Sequence, residues 1–148
     1  MSGLCDIPVL FVDIMHGLKP QTVESLIILN LMGTQFIVAL NKVDKPYGWK
    51  KCYNAPIVKA MKQQSEGVQN EFNKRLTQVI IQFQEQGINA ALYYENNYLG
   101  ETFSIVPTSA ISGEGVPDLL LLLVQGAQRT MVRELTYQNQ VQCICFGG

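Results

Sequence analysis

The chain opens on an apolar, β-branched-rich run from Ile7 to Val12 that stops at Asp13. Its brevity and its apolar character on both faces predict a strand buried within a parallel sheet. Pro20 suits a first helical turn, and Val23, Leu26, Ile27 and Leu31 recur at helical spacing until Gly33, so a helix should fill that stretch. Phe36 to Leu40 repeats the buried-strand pattern and ends at Asn41. Residues 45 to 66 have weak periodicity, two prolines and the single tryptophan, which predicts an irregular insertion. From Val68 to Gln86 the pattern becomes amphipathic: Phe72, Leu76, Val79, Ile80 and Phe83 share one helical face, and Gly87 follows the last turn. Ala90 to Tyr94 predicts a short strand and Phe103 to Val106 another core strand before Pro107. Pro117 then opens a final helix carrying Leu119 to Val124 and reaching about Tyr137.

Strands alternating with helices in this order imply right-handed crossovers and a three-layer α/β fold with parallel strands. Such folds gather ligands beyond the carboxyl ends of their strands. Three segments therefore become candidates: Asp13 to Gly17, Asn41 to Asp44, and Thr108 to Gly115.

Composition narrows the class without changing that plan. At 148 residues, 47% hydrophobic and 16% charged, the chain has the material for one folded domain. A net charge of -1 excludes a global field drawing it to nucleic acid or an anionic membrane. The charge is nonetheless uneven, because residues 45 to 75 hold seven of the eleven basic side chains and only two acids, Glu66 and Glu71. Cys5, Cys52, Cys143 and Cys145 match neither a paired zinc arrangement nor a disulfide framework, and reduced thiols in a cytosolic protein are expected. The start of the chain offers no signal-peptide pattern, and its longest wholly apolar stretch, Leu119 to Val124, is too short for a bilayer.

Asn41, Lys42, Val43 and Asp44 read N-K-x-D at a predicted strand end. A carboxylate there can accept two hydrogen bonds from N1 and N2 of guanine, a paired donor edge that adenine lacks. Asp44 would then set base identity, the Lys42 stem would lie along the base, and the Asn41 amide would brace the neighbouring loop or reach the purine edge. Thr108, Ser109 and Ala110 follow another core strand. Their small side chains let backbone N–H groups approach guanine O6, with Ile111 able to close over the base. His16, the only histidine, has no Cys or Ser neighbour in the sequence to make a nucleophilic dyad. Asp13 reads as a strand-end cap. Trp49 and Tyr47 among Lys45, Lys50 and Lys51 could stack on nucleic acid, although a solvated insertion is the expectation, and the excess of basic side chains there could meet RNA or a partner's acidic face.

These motifs resemble those of translational GTPases over nearly the whole chain. Gly17, Pro20, Gln21, Thr22 and Glu24 spell G-x-x-P-Q-T-x-E. The strings V-D-I-M-H-G-L from Val12, G-I-N-A-A-L-Y-Y-E-N from Gly87 and P-T-S-A-I-S-G-E-G from Pro107 look specifically like eukaryotic initiation factor 5B, the relative of bacterial initiation factor 2. The resemblance implies a partial P-loop GTPase fold, the C-terminal part of a G domain over residues 1–137 with an insertion at 45–66. Residues 138–148 resemble the start of a following β-barrel domain. It implies guanine nucleotide (GTP or GDP) held by Asn41, Lys42 and Asp44 from the fourth motif and Ser109, Ala110 and Ile111 from the fifth. Magnesium is implied only for the intact family domain, and partners would be the ribosome and initiation factors in the cytoplasm, with no membrane.

The phosphate loop G-x-x-x-x-G-K-[ST] and the D-x-P-G-H motif are not in this sequence. With neither catalytic residue nor metal ligand assigned, the chain alone is expected not to hydrolyse GTP. A truncated, catalytically silent interaction fragment without nucleotide binding is the alternative expectation. The strand containing Val9 and Phe11 should also show a bared apolar edge, which invites self-association.

Overall fold

The computed structural model describes residues 7–96 and 102–125, together with the backbone of 145–146. β1 (Val9–Asp13), α1 (Pro20–Leu31) and β2 (Ile37–Asn41) form the first crossover unit. α2 (Ile57–Lys62), α3 (Glu66–Glu85) and β3 (Ala90–Leu92) follow, then β4 (Phe103–Pro107), a helical stretch at 116–125 (α4), and β5 (Cys145–Phe146). All four strand pairings are parallel and the sheet order is β3-β4-β2-β1-β5. This is the expected α/β class.

The pleat sorts the strand residues. Val9 opposes Ile37 and Leu10 opposes Val38, so Leu10, Val12, Val38 and Leu40 line one face together. That face forms one core with Leu26 and Leu29 of α1 and Phe72, Leu76, Val79 and Phe83 of α3, all buried. The α3 stripe is the one its periodicity predicts. Ser65 caps this helix by accepting a hydrogen bond from the Val68 N–H at 3.3 Å, which satisfies one of the otherwise unpaired first-turn donors.

The insertion is more ordered than its composition predicts, since α2 crosses it. Six residues are too few to show periodicity, and only Ile57 and Ala60 of α2 are buried. No side chain at Pro56 caps this helix. Instead Asp118 of α4 accepts the Ile57 N–H at 2.9 Å and also the Tyr93 hydroxyl, joining the insertion to the end of the chain's core. Burial and the hydrogen bond to the Asp118 carboxylate both push the Tyr93 phenol upward.

The edge of β1 pairs over Val9 and Leu10 with Cys145 and Phe146. The remainder of the expected barrel segment at 138–148, and the expected helix beyond residue 125, lie outside the described residues. Among the described residues no helix is long and apolar enough to cross a membrane, and Cys52 is a free thiol.

Candidate functional site

The three predicted loops meet at the carboxyl ends of β1, β2 and β4. Parallel pairing places these ends side by side, and loop hydrogen bonds extend the registration outward: Ile14 N–H donates to Asn41 O at 3.0 Å, Thr108 N–H to Leu40 O at 2.8 Å, and Val43 N–H to Thr108 O at 3.2 Å. The Asn41 side chain then ties the second loop to the third. Its Oδ1 accepts the Ala110 N–H at 3.2 Å and lies 3.5 Å from the Thr108 hydroxyl.

Lys42 adopts the left-handed backbone region at φ 69°, uncommon for a residue with a Cβ and typical of sharp strand exits. That turn sends its side chain toward β1, where Nζ lies 3.0 Å from Asp13 Oδ2. The same carboxylate binds His16 Nδ1 at 2.9 Å and accepts the Met15 N–H at 2.8 Å. Asp13 is thus a strand-end cap, as its position suggests, and also the anchor for Lys42. His16 itself stands exposed in the loop.

Burial of Asp13 pushes its pKa upward, but hydrogen bonds from His16, Lys42 and the Met15 N–H, with the Lys42 charge, outweigh it and hold the group near about 2 against 3.8. A pKa depressed on folding stabilises the fold above the unfolded value, and that stabilisation disappears as pH falls through the folded one. Denaturant unfolding should therefore lose roughly 1–2 kcal/mol between pH 4 and 2 from this group, with the exposed Lys42 and His16 ends partly screened by solvent. Asp13→Asn should flatten that part of the pH profile.

The third loop is built around Ser109 and Glu114, both wholly buried. Ser109 N–H donates to Glu114 O at 2.9 Å, and Ser109 Oγ meets Ser112 Oγ at 3.1 Å. Ser109 therefore shapes the loop from within, and Ala110 carries the exposed backbone beside Asn41. Ile111 is 68% exposed, an apolar side chain with nothing of its own to cover. Among the described residues the buried and half-buried carboxylates of Asp13, Glu71, Glu114 and Asp118 all have hydrogen-bonding partners, whereas half-buried Asp44 has none.

Glu114, which sits between two glycines and is not one of the candidate site residues, organises this loop. Its carboxylate accepts the Trp49 indole N–H at 3.0 Å, the Cys52 N–H at 2.8 Å and the Ser112 hydroxyl. Burial pushes its pKa upward, yet these donors hold it below the ordinary carboxylate range. Trp49 is consequently an anchor of the insertion, not a solvated aromatic. The two partners lie 65 positions apart, and no local pattern in the sequence signals their pairing.

A parallel α/β sheet with N-K-x-D and T-S-A loops joined at its carboxyl edge defines a nucleotide-binding domain of the GTPase class. The chain belongs to the elongation factor Tu GTP binding domain family, whose model matches residues 2–129. It is 48% identical over 142 residues to eukaryotic translation initiation factor 5B of Schizosaccharomyces pombe, covering 96% of this chain and 13% of that protein. A probable translation initiation factor IF-2 of Halorubrum lacusprofundi is 42% identical over 139 residues, covering 94% of this chain and 23% of the relative. The crystal structure of GDP-bound aIF5B from Aeropyrum pernix superposes with a TM-score of 0.81 at 34% identity, over 87% of this chain and 22% of that one. The chain thus spans between 13% and 23% of the length of these relatives.

Proposed function

We propose that this chain supplies the guanine-reading part of a GTP-binding translation initiation factor. The observation that carries the reading is the carboxylate of Asp44, which has no hydrogen-bonding or ion-pair partner among the described residues and sits on the loop that Asn41 braces against Ala110. The N1 and N2 groups of guanine would give that carboxylate two charge-assisted hydrogen bonds. The residues around it fit a flat purine. Lys42, held at Nζ by Asp13, offers its aliphatic stem as one wall, and Ile111 offers an exposed apolar side chain as another. Guanine O6 would share the Ala110 N–H, whose present bond to Asn41 Oδ1 is a long 3.2 Å. Ser109 sets the shape of that loop.

In this reading phosphates and magnesium are held by other parts of the factor, which works in the cytoplasm with the ribosome and its initiation factors. Affinity for the base alone should be modest, because hydrogen bonds to a base supply selectivity while a diphosphate needs amide and cationic partners of its own.

The test is titration of the full chain with a fluorescent GDP analogue against an ATP analogue. GDP should be preferred, and Asp44→Asn should lower GDP affinity by about 10-fold or more while raising affinity for xanthosine diphosphate, whose edge presents an acceptor to the new amide. Folded protein that binds no guanine nucleotide would assign the chain to the silent interaction fragment instead. An Asp44→Asn variant with unchanged base preference would remove Asp44 from the site.

A further inference from the structure

We infer that the insertion forms a preorganised surface for single-stranded RNA, built from Lys50, Lys51, Lys59 and Lys62 with Tyr47 and Tyr53. Residues 45 to 75 carry a net of +5, seven bases against two acids, in a chain whose total is -1. Ordinary solvated faces interleave their charges, and here they do not. Glu71 is engaged by Arg75 at 2.6 Å, whereas none of the four lysines has a carboxylate within ion-pair distance among the described residues. All four are exposed.

The backbone beneath them is pinned. Gln64, itself buried, accepts the Lys50 N–H at 2.7 Å and donates to Lys50 O at 2.8 Å. This pair of bonds draws Lys50 alongside the end of α2. There Lys59 and Lys62 share the outward side, because Ile57 and Ala60 face the core. Glu114 holds the same loop from below through Trp49 and Cys52, and Asn54 N–H donates to Ser112 O at 3.0 Å. A backbone ordered in advance lowers the entropy lost when the loop meets an anion, and spaced phosphates are the anion that matches several lysines on one surface.

The tyrosines add stacking faces beside the lysines. Tyr47 is fully exposed and Tyr53 is 68% exposed, giving two aromatic faces on the same rigid loop. Unstacked bases use such faces, and each stacked base contributes about 1–3 kcal/mol. Protein interfaces bury tyrosines as well, so the lysines, which repeated phosphates match, carry the preference for a nucleic acid, and the polyglutamate competition below separates the two. Lysines beside exposed aromatic faces favour a single-stranded nucleic acid, and the choice of RNA over DNA rests on the translational reading above.

Fluorescence anisotropy of the full chain with labelled oligouridine and oligothymidine, over a salt series, tests this. Binding should weaken with salt, and Lys50→Gln with Lys51→Gln should reduce the slope of log K against log salt by about 1.4, as should Lys59→Gln with Lys62→Gln. Tyr47→Ala with Tyr53→Ala should weaken oligouridine binding by about 10-fold with the slope unchanged. Because every substituted side chain is exposed, melting temperatures should stay at the parent value. Slopes unaffected by both lysine pairs would overturn the proposal, and so would a polyglutamate peptide that outcompetes the RNA. Preference for oligothymidine would keep the surface but overturn its assignment to RNA. None of these lysines or tyrosines lines the base site, so GDP binding in the same variants separates failure here from failure of the guanine reading.

Discussion

Gly115→Ala is expected to lower the melting temperature by about 10 °C, corresponding to a loss of about 4 kcal/mol for a domain of this size. Gly115 sits at φ +77°, and an added Cβ would stand 1.8 Å from Pro107 O and 2.9 Å from its carbonyl carbon. Both neighbours are backbone, so no side chain can swing aside. Relief requires moving either the end of β4 or the start of α4, yet Gly115 is held by its N–H to Ala55 O at 3.0 Å and by the Leu119 N–H to its own carbonyl at 3.0 Å. Strain and clash therefore add. Gly33 is the control: its φ of +66° is equally left-handed, but nothing lies within 4 Å of the added carbon. Gly33→Ala should cost only about 1 kcal/mol. Differential scanning calorimetry of both variants checks the pair, and equal losses would show that the close approach to Pro107 is not what makes Gly115 necessary.

Glu114→Ala is expected to cost about 3 kcal/mol and to free the insertion while leaving the sheet standing. Removing the carboxylate strands the Trp49 indole N–H and the Cys52 N–H without their acceptor, and each buried donor left unmatched costs about 1–3 kcal/mol. Glu114→Gln should lose less, since Trp49 and Cys52 both donate to Oε2, which the amide oxygen can replace, and the Ser112 hydroxyl can rotate to accept from the new NH2. Because Trp49 is the only tryptophan, its emission reports the site directly. A red shift in Glu114→Ala, at a denaturant concentration too low to unfold the parent, would mark the opened loop. Unshifted emission with full loss of stability would mean the loop and the core melt together.

These two residues show where reading the chain succeeds and where it stops. β1, β2 and β4 are buried on both faces, so their apolar runs announce them, and the α3 stripe of Phe72, Leu76, Val79 and Phe83 announces a helix lying on a core. The loops Asn41 to Asp44 and Thr108 to Gly115 could be placed because strand ends in a parallel sheet converge by topology. Their mutual hydrogen bonds, such as Ala110 N–H to Asn41 Oδ1 across 69 positions, follow from that convergence. α2 could not be read, because two buried residues in six make no period. Glu114, Gln64 and Asp118 look like ordinary surface residues in a string of letters. Their meaning lies in partners 14 to 65 positions away, and no local pattern encodes a distance of that kind.

The cap that Asp118 places on α2 makes that short helix dependent on chain that arrives much later. Six residues cannot hold a helix by themselves in water, and the acceptor for the Ile57 N–H lies 61 positions downstream. During synthesis the stretch around α2 must wait, unshaped, until β4 and the first turn of α4 have emerged and docked. A chaperone or protease meeting the nascent protein would find its opening at that interval, well after β1 and β2 could have paired.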